Sequence, residues 1–110
     1  MVVNLQSIVS RETDPIDTVV VGIGVLNSGT RYNIVARDAV LEGTFRTFSK
    51  ESRSRTQEAI ERIVKSIAQA HGGKAEIEFQ AFASPVINHE ASSLLAAKVA
   101  RNIVGEDNVI

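Results

Sequence analysis

Two kinds of apolar repeat alternate along this chain, and their order limits the folds open to it. In "TVVVGIGVLN", residues 18–27, Val19, Val21, Ile23 and Val25 recur at every second position, as in a strand buried on one face. Gly22 and Gly24 fall between them and leave the other face thin, a place where another backbone can come close. "NSG" at 27–29 signals a turn, and a second alternating stretch follows from 38 to 48. There Ala39, Leu41, Gly43 and Phe45 share one face, and Val40, Glu42, Thr44 and Arg46 share the other. Strands so close in sequence pair antiparallel by default. The period then changes. From 50 to 71, Ala59, Ile60, Ile63, Val64 and Ile67 make a helical stripe, with Ser49 as its cap, Glu51 in its first turn and "HGG" at its end. Gly72 is the expected left-handed cap. "KAEIEFQAFA", 74–83, alternates once more, with Ala75, Ile77, Phe79 and Ala81 inward.

The two ends complete the pattern. Val2, Leu5, Ile8 and Val9 predict a helix over 2–12, which stops before Asp14 and Pro15. It has no start signal and reads as the end of a longer element. After the linker "SPVIN" a last helix is expected from about His89 to Val104, capped by Asn88 and closed by Gly105. The expected fold is α+β: a ferredoxin-like two-layer sandwich, an antiparallel sheet with helices on one face. Its first strand is absent and it carries an extra C-terminal helix. The domain boundary falls between 86 and 87.

Composition removes several classes of function. The chain has 110 residues, a net charge of −1 and no cysteine. It therefore carries no broad basic footprint for nucleic acid, no disulfide and no thiolate metal site. No apolar run approaches the roughly 18 residues of a membrane helix, and the expected location is the cytoplasm. Only two histidines occur. His71 ends a helix, where a cation is favoured. His89 stands beside Glu90 without a second histidine at helical spacing, so "NHE" is no zinc motif. "GIG" lies inside a strand and not at a strand-to-helix turn, which excludes a dinucleotide fingerprint. No cofactor and no catalytic residue is expected in this chain.

"SGTRYNIVARDAVLEGTFR", 28–46, holds the candidate binding residues: Asn33 in the turn and Arg46 on the strand after it. A guanidinium suits a carboxylate ligand through a bidentate fork, and an amide adds a neutral donor. The competing reading makes Arg46 the ion-pair partner of Glu42, on the same strand face, and Asn33 a turn stabiliser.

A resemblance bears on that choice. "LQSIVSRETDPID" followed by "VVVGIGVLNSGTRYNIVARDAVLEGTFRTF" resembles the lid, or dimerisation, domain of the metal-dependent aminoacylases, hippurate hydrolases and carboxypeptidases. Arg11, Asp14, Pro15, Gly24, Gly29, Asn33, Gly43, Thr44 and Arg46 match its pattern. "PVINHEASSLLAAKVARNIVGEDNV" is similar to the segment that leads back into that family's catalytic domain. Ala36, where other branches often have proline, is most like the bacterial aminoacylase and hippurate-hydrolase branch. The resemblance implies a protein that hydrolyses the amide bond of N-acyl amino acids. It implies two divalent metal ions, usually zinc, in a separate catalytic domain, and a homodimer formed through the lid. It also implies that Asn33 and Arg46, with Gly29 beside them, bind the substrate carboxylate. The alternative is a free-standing ferredoxin-like dimer that binds a small molecule or another protein.

Overall fold

The computed structural model describes residues 1–81 and 83–109, which cluster into two compact units, Met1–Gln80 and Ala81–Ile110. In the first unit the chain enters through a short helix α1, Val2–Leu5, and a wider π-helical turn, Ile8–Glu12, in place of the single helix that the spacing predicts. Hydroxyl side chains account for the loosening. Ser7 Oγ donates to the Asn4 carbonyl at 2.7 Å, Ser10 Oγ to that of Gln6 at 3.1 Å, and Thr13 Oγ1 to that of Ile8 at 2.8 Å. Such bonds compete with the helical ladder for carbonyl oxygens. Leu5 and Ile8 still face inward, each 2% exposed, while Val9 lies outside. At the "TDPID" turn, the Asp14 carboxylate accepts from the Ile16 N–H at 2.9 Å and its carbonyl accepts from the Asp17 N–H at 2.9 Å.

Strands β1, Val19–Ser28, and β2, Ala39–Thr47, form an antiparallel two-stranded sheet. Val19 pairs with Thr47, Val21 with Phe45 and Ile23 with Gly43; the register then shifts, so that Val25 pairs with Glu42 and Leu26 with Leu41. Gly24 is the extra residue of a β-bulge. One inserted residue exchanges the two faces beyond it. Val25 therefore leaves the face to which simple alternation assigned it, and Leu26, opposite Leu41, falls on that face but stays exposed at this end of the hairpin. β2 has no bulge and keeps its expected faces.

Gly43 sits where β1 leaves no room for a side chain. A Cβ there would lie 2.4 Å from the Gly22 carbonyl oxygen and 2.7 Å from Ile23 Cδ1. Gly43→Ala should therefore cost about 1–3 kcal/mol, since the backbone has to move. A melting temperature equal to that of the unsubstituted chain would contradict this.

Helix α2, Lys50–Ala70, covers the sheet. Ser49 Oγ accepts from the Ser52 N–H at 3.0 Å and caps it. At the other end Gly72 has φ +72°, the Gly73 N–H reaches the Ala68 carbonyl at 2.8 Å, and the Gly72 N–H reaches that of Gln69 at 3.0 Å. This is the left-handed close expected from "HGG". Ala59 and Ile63 meet Leu5, Ile8, Val19 and Val21 in the core, with Phe45, Ile60, Val64 and Ile67 packed around it.

The third expected strand differs. Ala75, Ile77 and Phe79 are half-buried while Glu76, Glu78 and Gln80 are exposed, so the alternation holds. Among the described residues, however, 74–80 joins no sheet, and Phe82 of that expected strand lies outside them. Side-chain pattern sets which way residues face; a strand assignment also needs a neighbour. The molecule is thus α+β, a partial ferredoxin-like sandwich of two paired strands and one extended segment.

In the second unit helix α3, Glu90–Val104, begins after His89 and not after Asn88, and no side chain caps it. Gly105, at φ +92°, closes it as expected. Leu94, Leu95 and Ile103 are exposed.

Candidate functional site

The hairpin of β1 and β2 carries all three candidate binding residues, but not at one point. Gly29 and Asn33 lie in the 29–38 loop, and Arg46 lies near the other end of β2, opposite Val20. Seven residue steps separate Ala39 from Arg46, or about 23 Å of strand. Asn33 and Arg46 are therefore not a contacting pair.

The loop has its own order. Ser28 Oγ donates to the Asp38 carbonyl at 3.0 Å across its base, and the Ile34 N–H reaches the Arg31 carbonyl at 3.2 Å. Gly29 has φ +73°, a left-handed conformation that favours glycine, and a Cβ there would touch Ala36 Cβ at 3.4 Å. Asn33 is exposed and its amide makes no hydrogen bond among the described residues, so it is not holding the turn together. Tyr32 and Val35 beside it are fully exposed.

Arg46 is exposed on the sheet face away from the core. Among the described residues no ion pair joins it to Glu42; the arginines that pair are Arg55 with Asp17, Arg62 with Glu12 and Arg101 with Glu106. Next to Arg46 on its face is Thr44, opposite Gly22. A shallow depression of ≈ 430 Å³ runs there over Gly22, Ile23, Gly24, Glu42, Gly43 and Thr44. Among the described residues, the chain neighbours aside, nothing lies within 4 Å of a Cβ built at Gly22 or Gly24, so neither glycine is required by internal crowding. The result is a strip of bare backbone bordered by Glu42 and Thr44, with Arg46 two positions further along the same strand face.

A second cavity, of ≈ 360 Å³, opens between the π-helical turn, the start of β1 and α2. Sequence reasoning passed over it because its charges come from a turn and a helix face far apart in sequence. There Asp17 accepts from the buried Ser52 hydroxyl and from Arg55 at 3.0 Å, and Glu12 meets Arg62. Its acids and bases are matched to each other, which makes it a brace between elements. Among the described residues no three His, Asp or Glu side chains converge. His71 follows the end of α2 and His89 precedes α3.

Comparison with known proteins decides the family. No family model matches the chain. Over 91 residues, 83% of its length, it is 44% identical to the N-acetyldiaminopimelate deacetylase of Bacillus cytotoxicus. Over 97% of its length it is 36% identical to the enzyme of the same name from Bacillus subtilis. The chain belongs to this amidohydrolase family. It spans 24% and 32% of the length of those two relatives. The fold agrees: a candidate aminohydrolase from methicillin-resistant Staphylococcus aureus, known from its crystal structure, superposes with a TM-score of 0.74 and 25% identity. That match covers 94% of this chain and 26% of the other. No helix of the described amidohydrolase segment is long and apolar enough to cross a membrane.

Proposed function

We propose that this chain is the substrate-orienting lid and dimerisation part of an amidohydrolase that cleaves N-acylated amino acids. The observation that carries the reading is Arg46: an exposed guanidinium with no ion-pair partner among the described residues, beside the bare strip of Gly22 and Gly24. A charged group without a structural partner is free to take a ligand, and a planar fork fits a carboxylate. N-acetyldiaminopimelate, the compound named for the relatives, carries carboxylates of that kind. Asn33, in the loop at the far end of the hairpin, serves a different contact, either a more distant part of the substrate or the edge of the lid. The loop hydrogen bonds and Gly29 hold it in place.

In this reading the lid fixes where the scissile amide lies and excludes water as it closes. The amide-cleaving chemistry and the two divalent ions belong to residues outside this chain. The test is kinetic, on Arg46 variants of the full-length enzyme, and its expected outcome opens the Discussion.

The dimerisation part of the proposal rests on open sheet edges. Among the described residues β1 and β2 pair only with each other, so each offers a free row of backbone groups, and Val20, Val25 and Val40 are exposed on the same sheet. Unpaired edges recruit partners. Sedimentation of the chain at rising concentration should move from one protomer to two; a single-protomer profile throughout would rule the association out.

A further inference from the structure

Arg46 stands almost at the end of its sheet, and the ladder alone does not hold it there. Among the described residues only one pair, Val19 with Thr47, lies beyond the pair of Val20 with Arg46 before the strands part. Strand ends held by so little open locally with ease. Side chains close this end. Asp17, just before β1, accepts from the Ser52 hydroxyl and from Arg55 Nη2 at 3.0 Å. Ser52 Oγ in turn meets Ser49 Oγ at 2.7 Å, and Thr47 Oγ1 donates to the Ser49 carbonyl at 3.4 Å. A continuous run of contacts thus joins the entry to β1 with the residue that follows Arg46. Its centre is sheltered: Ser52 is 3% exposed and the Asp17 side chain 22%.

We propose that Asp17 is a positioning residue for the substrate carboxylate: it clamps the corner between β2 and α2 and so keeps the strand end that carries Arg46 in one place. This rests on the reading of Arg46 as the carboxylate's partner. The two contacts of Asp17 contribute unequally. Arg55 is 68% exposed, and an exposed ion pair adds little. The Ser52 hydroxyl is buried and its bond to a carboxylate is charge-assisted, so that contact carries the clamp. Ser52 keeps Ser49 as a partner when Asp17 is cut back, so no buried hydroxyl is orphaned and the fold survives. What changes is a population. A corner that opens leaves Arg46 in place for a fraction of the time, and the apparent affinity falls by that fraction while a bound substrate reacts as before.

Two measurements test this. In the chain as it stands, Asp17→Ala should speed amide hydrogen exchange about ten-fold at 46–48 and 19–20, while the middle of α2 and the loop end of the hairpin stay unchanged. In the full-length enzyme, with N-acetyldiaminopimelate as substrate, the same change should raise KM about ten-fold at nearly normal kcat. Asp17→Asn retains an oxygen for Ser52 and should bring KM back to within about three-fold of the unsubstituted enzyme. In an Arg46→Ala background, Asp17→Ala should alter kcat/KM by less than about two-fold, because residues that act through one group do not add. Unchanged exchange at 46–48, or a normal KM for Asp17→Ala where Arg46→Ala loses activity, overturns the proposal and leaves the Arg46 reading standing. So does a full further loss from Asp17→Ala on top of Arg46→Ala, which would give Asp17 an effect of its own. Near-normal kinetics for Arg46→Ala overturn both.

Discussion

Replacing Arg46 by alanine in the full-length enzyme lowers kcat/KM at least about 10²-fold and leaves the melting temperature where it was. A charge-assisted hydrogen bond contributes about 1.5–3 kcal/mol, and a substrate held in the wrong place loses further rate. Arg46→Lys restores only part of the activity, because an ammonium is a point charge without the fork. Stability is spared for a structural reason. The side chain is exposed on the face opposite Phe45, and no ion pair joins it to Glu42. A scaffold role predicts the reverse: near-normal turnover and a lowered melting temperature. Steady-state kinetics beside a melting curve for the same variant separates the two.

Ile8→Ala should remove a large share of the stability of the first unit. Ile8 is the largest side chain buried to within 2% of complete, and it joins the core formed with Leu5, Val19, Val21, Ala59 and Ile63. Truncating such a side chain costs about 2–5 kcal/mol. A unit of this size has about 4–12 kcal/mol in total, at 0.05–0.15 kcal/mol per residue. Val9→Ala, one position along the same turn, removes a half-exposed methyl pair and should cost far less. Urea unfolding of both variants tests this. Equal midpoints would mean that the π-helical turn does not anchor the core.

The sequence carried the elements whose signals are local. Ser49, the 59–67 stripe and "HGG" define α2 with a cap, an apolar face and a stop, and all three hold. Harder to read were the features that depend on what lies beside a residue. The Gly24 bulge moved Val25 across the sheet, because alternation cannot reveal that one strand of a pair has an extra residue. Hydroxyl groups split the first helix, since Ser7, Ser10 and Thr13 found carbonyls to bind. In 74–80 the sequence specified facing without a ladder. Asn33 and Arg46 share one short stretch of sequence, yet the hairpin sets one in its loop and the other near the far end of β2.

The glycine pair at the middle of the hairpin has a further consequence. Short turns lock the alignment of the strands they join, but the 29–38 connection is ten residues and cannot do so. At that end the Ser28–Asp38 hydrogen bond spans the base of the loop, and a slide of β1 by one place against β2 would turn Val19 and Val21 outward. The lock lies elsewhere. Gly43 admits the Gly22 carbonyl at a distance that no other residue allows, and the bulge one step beyond fits only that alignment. The two strands are keyed at mid-length like a ratchet and its pawl. The loop bearing Asn33 can then vary in length and sequence without moving Arg46, so the two ends of the hairpin can change independently.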